Sequence, residues 1–223
     1  MGLMTVLFDA MLFDLDGTLL NTLEDIADAA NCVLTRHHFP AHPVDAYRHF
    51  VGEGARVLVW RLIPQDARTE ELVDVMYAEF RAEYSRNWNA KTKPYEGIPE
   101  MLDGVVGRGL KIAVLSNKPD DFTRRCVGEF FPHWKFDAVV GLHDGIPPKP
   151  DPTGALQIAW QMRLPTTAFL YLGDSGVDMK TAVAADMLPV GALWGFRTAD
   201  ELLAGGARAL AKKPSEVMDL LSS

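Results

Sequence analysis

The 223-residue sequence has little cysteine, no surplus of positive charge and no long apolar run. Its two cysteines, Cys32 and Cys126, lie far apart and match no metal-ligand spacing, so neither a disulfide framework nor a redox role is expected. Lys and Arg number 22 against 30 Asp and Glu, which gives a net charge of −8. Binding to nucleic acid or to an anionic membrane needs clustered basic residues, so we expect neither partner.

A membrane span and a secretory signal are also not expected. No run of about 18 apolar residues is present. The N-terminal stretch MGLMTVLFDAMLFDLDG has no basic region, and Asp9 and Asp14 interrupt its apolar residues. We therefore expect a cytoplasmic location. A group of four histidines matches no zinc-site spacing and is expected to be solvated or part of the core: His37, His38, His42 and His49.

From Gly97 onward, short apolar runs alternate with amphipathic stretches. Such runs are typical of parallel strands covered on both faces, and the alternation predicts an α/β fold. The predicted strands are Leu110–Leu115, Phe136–Gly141, Ala168–Leu172 and Leu188–Trp194. The predicted helices are Pro119–Phe130, Thr153–Met162, Val177–Ala185 and Ala199–Ala204.

The first strand, Ala10–Asp14, is separated from the others by a long region without a convincing strand. Four helices are predicted there: Leu23–Thr35, Pro43–Phe50, Gly54–Leu62 and Thr69–Trp88. Lys91–Gly97 contains Pro94 and Gly97 and reads as a linker. We therefore expect a Rossmann-like core with a mainly parallel sheet flanked by helices, formed by residues 1–20 and 95–223. A helical cap domain, residues 21–94, is inserted after the first strand.

Two carboxylates stand at the end of the first predicted strand, in the segment Phe13-Asp14-Leu15-Asp16-Gly17-Thr18. A spacing of two places Asp14 and Asp16 on the same side of an extended chain. Gly17 allows a sharp turn that exposes backbone N–H groups to an anion. Two charges this close need relief by a divalent cation with oxygen ligands, or by the proton that a general acid carries.

Polar residues also follow the next predicted strand and a proline-rich turn. The hydroxyl of Ser116, in Leu115-Ser116-Asn117-Lys118, and the nearby N–H groups suit phosphoryl oxygens. Prolines flank Lys149 in PPKPDP, residues 147–152, and restrict where its ammonium can reach. An ammonium is a compact charge that is suited to a phosphoryl oxygen.

Two further acids follow the strand at 168–172, in GDSGVD, residues 173–178. Asp174 is placed to complete a metal site with Asp14. Asp178 falls in the first turn of a helix, where the helix dipole favours a carboxylate, and is expected behind the metal ligands. Ligands of open parallel sheets bind at the carboxyl ends of the strands, so these segments predict one site.

These four segments resemble, in the same order, the four motifs of the haloacid dehalogenase superfamily in its phosphatase branch. The resemblance covers essentially the whole chain, and phosphoglycolate phosphatase-type enzymes are the most similar subgroup. VGEGAR at 51–56 and WGFR at 194–197 favour that subgroup. Asn21 and Thr22 stand where relatives usually have Asp-Ser, and Asp186 stands where they commonly have glycine.

The resemblance implies a two-step phosphoryl transfer. Asp14 would be the nucleophile that forms an aspartyl-phosphate, and Asp16 would be the general acid and then the base. Ser116 and Lys149 would complete the catalytic set by holding phosphoryl oxygens. The substrate would be a small phosphorylated metabolite.

The resemblance also implies a metal and a set of substrate contacts. Mg²⁺ would be bound by Asp14, Asp174 and the backbone carbonyl of Asp16, with Asp178 behind them. The expected substrate-binding residues are Gly17, Thr18, Asn117 and, for a substrate carboxylate, Arg56 of the cap. A monomer or a homodimer is expected.

Other functions stay open at this point. A phosphomutase of the β-phosphoglucomutase type would use the same Asp14 and Asp16, and a pyrophosphatase is also compatible. A hydrolytic dehalogenase has no use for Asp16 as a proton donor to an alcohol. A non-catalytic phospho-acceptor, such as a response-regulator receiver, is shorter and lacks a long insert after its first strand.

Overall fold

The computed structural model describes residues 8–221. Along this part of the chain the strands are Ala10–Phe13 (β1), Leu20–Asn21 (β2), Lys93–Pro94 (β3), Lys111–Pro119 (β4), Ala138–Leu142 (β5), Phe169–Gly173 (β6), Leu188–Ala192 (β7) and Ala209–Ala211 (β8). Six of them form a sheet in the order β5-β4-β1-β6-β7-β8, in which all neighbours are parallel. β4 runs to Pro119, beyond the predicted end at Leu115, and β8 was not predicted.

Helices cover the sheet and fill the region after its first strand. They are Leu23–Arg36 (α1), Tyr47–Phe50 (α2), Ala55–Leu62 (α3), Glu70–Asn87 (α4), Ile98–Gly107 (α5), Asp120–Phe130 (α6), Thr153–Met162 (α7), Gly176–Ala184 (α8), Ala199–Gly205 (α9) and Pro214–Leu220 (α10). The parallel sheet with flanking helices confirms the predicted α/β fold, although α5 and α10 were not predicted. None of the helices described has the length and apolar content that a bilayer crossing requires.

β1 is an inner strand of the sheet, between β4 and β6, and every one of its side chains is buried. Successive residues of a strand point to opposite faces. Met11 and Phe13 belong to one buried apolar cluster, and Ala10 and Leu12 belong to a second. The strand therefore has no solvated face, and this is why its sequence is continuously apolar.

The helical insert leaves and re-enters the core at adjacent points. β2 leads into the insert and β3 leads out of it. These two crossings lie side by side because β2 and β3 pair antiparallel, with Leu20 opposite Pro94. β3 lies within the predicted linker, Lys91–Gly97. The division into a cap at 21–94 and a core stays a prediction, and residues 1–7 and 222–223 of the predicted core lie outside the described part of the chain.

A buried carboxylate fastens the second crossing to α1. Asp25 accepts hydrogen bonds from the backbone N–H of Lys91 at 3.0 Å and from the N–H and hydroxyl of Thr92 at 2.8 and 2.7 Å. Its side chain is almost completely buried. The neighbouring acid Asp28 lies on the exposed side of α1 and contacts the Lys91 ammonium at 2.7 Å.

Asp25→Ala should lower the free energy of unfolding by about 3 kcal/mol, because it leaves buried donors without an acceptor. The melting temperature should fall by about 6–12 °C. Asp28→Ala is the matched control on the same helix, and its melting temperature should stay close to that of the wild type. Equal thermal shifts for the two variants would contradict a fastening role for Asp25.

Candidate active site

β1 and β6 end at nearly the same level of the sheet, and β4 passes beside them. Phe13, the last residue of β1, pairs with Val114 of β4 and with Leu172 of β6. Asp14 follows directly, and its backbone N–H donates to the Leu172 carbonyl at 3.0 Å. The chain segments that carry the other predicted site residues leave the sheet at this same edge, where parallel sheets bind their ligands.

The Lys149 ammonium is buried between two carboxylates. Its Nζ lies 2.7 Å from Asp14 Oδ1 and 2.6 Å from Asp178 Oδ1, and it donates to the Leu115 carbonyl at 3.1 Å. The side chain is 3% exposed. Three acceptors match the three N–H donors of an ammonium. Burial alone would lower the pKa of Lys149, but Asp14 and Asp178 outweigh burial and hold it well above its usual value.

Asn117 fixes the backbone of Lys149 and also reaches the helical insert. Its Oδ1 accepts from the Lys149 N–H at 2.8 Å, and its Nδ2 donates to the Lys149 carbonyl at 3.1 Å. The same Nδ2 lies 3.0 Å from the Gly52 carbonyl. Ser116, one residue earlier, is buried, and its Oγ accepts from the Lys118 N–H at 3.2 Å. The hydroxyl hydrogen of Ser116 is thus left to point toward a ligand.

Asp174 is held tightly against the turn that follows β1. Thr18 donates its hydroxyl to Asp174 Oδ1 at 3.2 Å, and the backbone N–H of Phe196 donates to Oδ2 at 2.7 Å. Gly17 has a φ of +90°, and a Cβ at this position would stand 2.2 Å from Asp174 Oδ2. The turn therefore requires glycine. The indole of Trp194 donates to the Thr18 carbonyl at 2.9 Å, so the WGFR segment supports the same turn.

Asp14, Asp174 and Asp178 each offer an oxygen, and these oxygens lie within 4.8 Å of one another. Burial and the charge of Asp178 raise the pKa of Asp14 to about 7, against the lowering effect of Lys149. Burial, Asp14 and Asp178 raise the pKa of Asp174 well above its usual value. Binding of a cation would stabilise the ionised form of these buried carboxylates, and Mg²⁺ prefers hard oxygen ligands such as these.

The two oxygens of Asp178 are already engaged. Oδ1 accepts from Lys149, and Oδ2 accepts from the Ser175 hydroxyl at 2.6 Å and from its backbone N–H at 3.1 Å. Asp174 accepts from two neutral donors, the Thr18 hydroxyl and the Phe196 N–H, and Asp14 meets Lys149 through Oδ1. Asp14 and Asp174 therefore retain more capacity to bind a metal ion than Asp178. This arrangement is consistent with the prediction of Asp178 behind the metal ligands.

Asp16 stands apart from the acid cluster because Lys118 binds its carboxylate. Lys118 Nζ lies 2.9 and 3.2 Å from the two oxygens of Asp16 and donates to the Tyr84 hydroxyl of α4 at 2.9 Å. Burial lowers the pKa of Lys118, but Asp16 and Tyr84 outweigh burial and raise it well above its usual value. Sequence reasoning gave Lys118 no role, although it lies in the Leu115–Lys118 segment that was singled out.

The structure does not bring Arg56 to this site. Its guanidinium lies 2.8 Å from Asp74 and 2.5 Å from Glu70 on the exposed side of the helical insert, and its side chain is 45% exposed. Arg81 of α4 occupies the position where a cap cation was expected, since it lines the same cavity as Asp14 and Asp16.

That cavity lies between the sheet edge and the helical insert. Part of its lining is polar, namely Asp14, Asp16, Ser116, Asn117 and Lys118. Much of the rest is apolar, with Ile26, Val51, Leu58, Phe80 and Phe122. Its volume is about 50 Å³, and one ordered water needs at least about 10–15 Å³, so there is room for roughly four waters. This size favours a small ligand over a polymer.

Comparison with known proteins agrees with the geometry. A family model described as haloacid dehalogenase-like hydrolase matches residues 11–192. The chain belongs to the haloacid dehalogenase-like hydrolase family. Phosphoglycolate phosphatase from Psychrobacter arcticus is 30% identical over 199 residues, which are 86% of each chain. The enzyme of the same name from Aquifex aeolicus is 32% identical over 186 residues, 83% of this chain and 85% of that one.

Solved structures of haloacid dehalogenase-like proteins share the whole fold. A provisionally assigned phosphoglycolate phosphatase from Lactobacillus delbrueckii subsp. bulgaricus superposes with a TM-score of 0.90 at 28% identity, covering 96% of this chain and 98% of that chain. A provisionally assigned β-phosphoglucomutase from Bacteroides vulgatus superposes with a TM-score of 0.78 at 19% identity, covering 98% and 90%. The predicted family and the predicted phosphatase class are confirmed, whereas the fold alone is shared with mutases.

Mg²⁺ should stabilise this haloacid dehalogenase-like hydrolase more at pH 8 than at pH 6. The pKa of Asp14, about 7, is raised above its unfolded value of 3.8, so the metal-free protein loses stability as the pH rises through 7. At pH 6 a metal must also displace protons. With Mg²⁺ at about 100 times its Kd at pH 8, the gain of about 2.7 kcal/mol raises the melting temperature by about 5–10 °C.

Asp174→Asn should remove most of this thermal shift, and Asp144→Asn, an exposed acid outside the site, should keep it. The measurement is the melting temperature with and without Mg²⁺ at both pH values. A shift that survives in Asp174→Asn, or that is larger at pH 6, would show that the ion binds elsewhere.

Proposed function

We propose that this chain is a Mg²⁺-dependent phosphomonoesterase that acts on a small phosphorylated metabolite through an aspartyl-phosphate on Asp14. One observation carries the proposal: the Asp14 carboxylate lines a small cavity that also contains Asp16, while the buried ammonium of Lys149 holds it from behind. A nucleophilic carboxylate and a second, separately held carboxylate are the groups that a two-step hydrolysis requires.

In the first step an oxygen of Asp14 forms a bond to phosphorus, and the bond from phosphorus to the ester oxygen breaks. The charge of Lys149 lowers the pKa of Asp14 and so favours the ionised nucleophile. Asp14, Asp174 and the backbone carbonyl of Asp16 would hold Mg²⁺, which when bound offsets the repulsion between the nucleophile and an anionic phosphate. The Ser116 hydroxyl, which lines the same cavity, would donate to a phosphoryl oxygen.

Asp16 transfers the protons of both steps. It gives a proton to the departing alcohol oxygen in the first step, and in the second it takes one from the water that attacks the aspartyl-phosphate. Lys118, which also donates to the Tyr84 hydroxyl, holds the Asp16 carboxylate at the cavity wall, away from the cluster formed by Asp14 and Asp174. Inorganic phosphate and the free Asp14 carboxylate result.

Phosphoglycolate or a substrate of similar size is the proposed physiological ester. Two relatives carry the name phosphoglycolate phosphatase, and this chain aligns with most of the length of each at about 30% identity. The cavity volume, about 50 Å³, supports a small molecule. A cytoplasmic location and a monomeric or homodimeric state remain part of the proposal.

Asp16→Asn should separate esters by the quality of their leaving groups. With phosphoglycolate, phosphate release should fall by about 10²- to 10⁴-fold, the usual contribution of a general acid. With p-nitrophenyl phosphate the first step should be largely spared, because nitrophenolate leaves without a proton. The measurement is the release of phosphate and of nitrophenol, each with and without Mg²⁺.

Asp103→Asn, an acid on α5 away from the cavity, serves as the control and should retain both activities. Loss of the base in the second step slows steady-state turnover of both esters alike, so the decisive quantity is the release of each alcohol in the first turnover. An equal loss of that release with both esters in Asp16→Asn would contradict a proton-donor role. Failure of the wild type to release phosphate repeatedly from any ester in the presence of Mg²⁺ would contradict the proposed function itself and favour a phospho-acceptor. Dependence on an added sugar bisphosphate would favour a mutase.

A further inference from the structure

Both acidic and basic side chains line the cavity. Among the described residues that line it, two are cations, Lys118 and Arg81. The three N–H donors of Lys118 are used by the two oxygens of Asp16 and by the Tyr84 hydroxyl. Lys118 is therefore committed to holding Asp16. A second anionic group on the substrate would have to be recognised by Arg81.

Arg81 is held loosely enough to exchange partners. Its Nη2 donates to Asp121 Oδ2 at 2.7 Å and its Nη1 to the Tyr77 hydroxyl at 3.4 Å, so these contacts use two of its five N–H groups. The side chains of Arg81 and Asp121 are 36% and 53% exposed. An ion pair with this exposure contributes little to stability, and solvent or another carboxylate can replace Asp121.

The position of the guanidinium is nevertheless defined. Its central carbon lies 5.4 Å from the centre of the Phe122 ring and 6.0 Å from that of Tyr77. These aromatic faces restrict the side chain by cation–π contact. Arg81 also lines an open groove outside the cavity, together with Pro119, His143 and Pro147. The guanidinium thus lies where the inner cavity meets the outer groove.

We propose that Arg81 selects substrates whose alcohol part carries a carboxylate, and that this carboxylate takes the place of Asp121 on the guanidinium. The inference rests on the proposed phosphomonoesterase function. With the phosphoryl group at Asp14, the other end of a short ester extends away from the sheet edge, toward the helical insert that carries Arg81. A planar guanidinium binds a carboxylate through two parallel hydrogen bonds, which a neutral group cannot reproduce.

Arg81→Gln tests this inference with two esters of the same length, phosphoglycolate and ethyl phosphate, of which only the first carries a carboxylate. For phosphoglycolate, kcat/KM should fall by about 10- to 100-fold, the range expected when a hydrogen bond to a charged group is lost. The loss should appear mainly in KM, because the contact is present in the bound ester and in the transition state alike. For ethyl phosphate, kcat/KM should stay within about 3-fold of the wild type.

Three variants complete the design. Arg56→Gln, the matched arginine on α3, should leave both esters unchanged because Glu70 and Asp74 hold its guanidinium away from the cavity. Asp121→Asn should lower KM for phosphoglycolate by removing the competing carboxylate. Arg81→Lys keeps the charge without the two parallel hydrogen bonds, so its KM for phosphoglycolate should lie between those of the wild type and Arg81→Gln.

The outcomes separate this inference from the proposed function. Suppose that the wild type hydrolyses both esters. If Arg81→Gln then lowers kcat/KM by the same factor for both esters, or lowers it for neither, the inference is overturned and the phosphatase function stands. An effect of Arg56→Gln on phosphoglycolate alone would likewise overturn it. If the wild type hydrolyses neither ester in the presence of Mg²⁺, the proposed function and this inference fall together.

Discussion

The ammonium of Lys149, buried between Asp14 and Asp178, is the interaction on which the site depends. Three acids approach one another at this sheet edge, and without a cation among them their charges could not be buried together. Lys149 compensates part of this charge and fixes the direction of the Asp14 carboxylate. The remaining negative charge is what leaves the site in need of a metal ion.

The surrounding structure positions this one side chain and its acids. Asn117 holds the Lys149 backbone through two hydrogen bonds and reaches Gly52 in the helical insert through a third. On the other side, Gly17 permits the turn after β1 to lie against Asp174. Lys118 draws Asp16 out of the acid cluster toward Tyr84. The two carboxylates of the first motif therefore face different partners, which allows them different chemical roles.

Periodicity and composition predicted the parallel sheet and five of its six strands, because these strands are short apolar runs. They also predicted that Asp14, Lys149 and Asp174 belong together, and the structure brings these three to one edge. Side-chain contacts between distant segments could not be predicted from sequence patterns. Lys118 and Asp16, for example, are 102 residues apart. For the same reason Arg56 was predicted as the cap cation, since its motif does not reveal that acids on a neighbouring helix hold it, and Arg81 was given no role.

The proposed mechanism requires that the carboxylate held by Lys149 becomes phosphorylated during turnover. Quenching the reaction in acid within the first turnover, with a phosphate-labelled ester, tests this claim most directly by locating the label along the chain. The account predicts a hydroxylamine-sensitive phosphoryl group on the peptide that contains Asp14, and no label in Asp14→Asn. Rapid turnover with no covalent phosphate, or with the label on another residue, would contradict it.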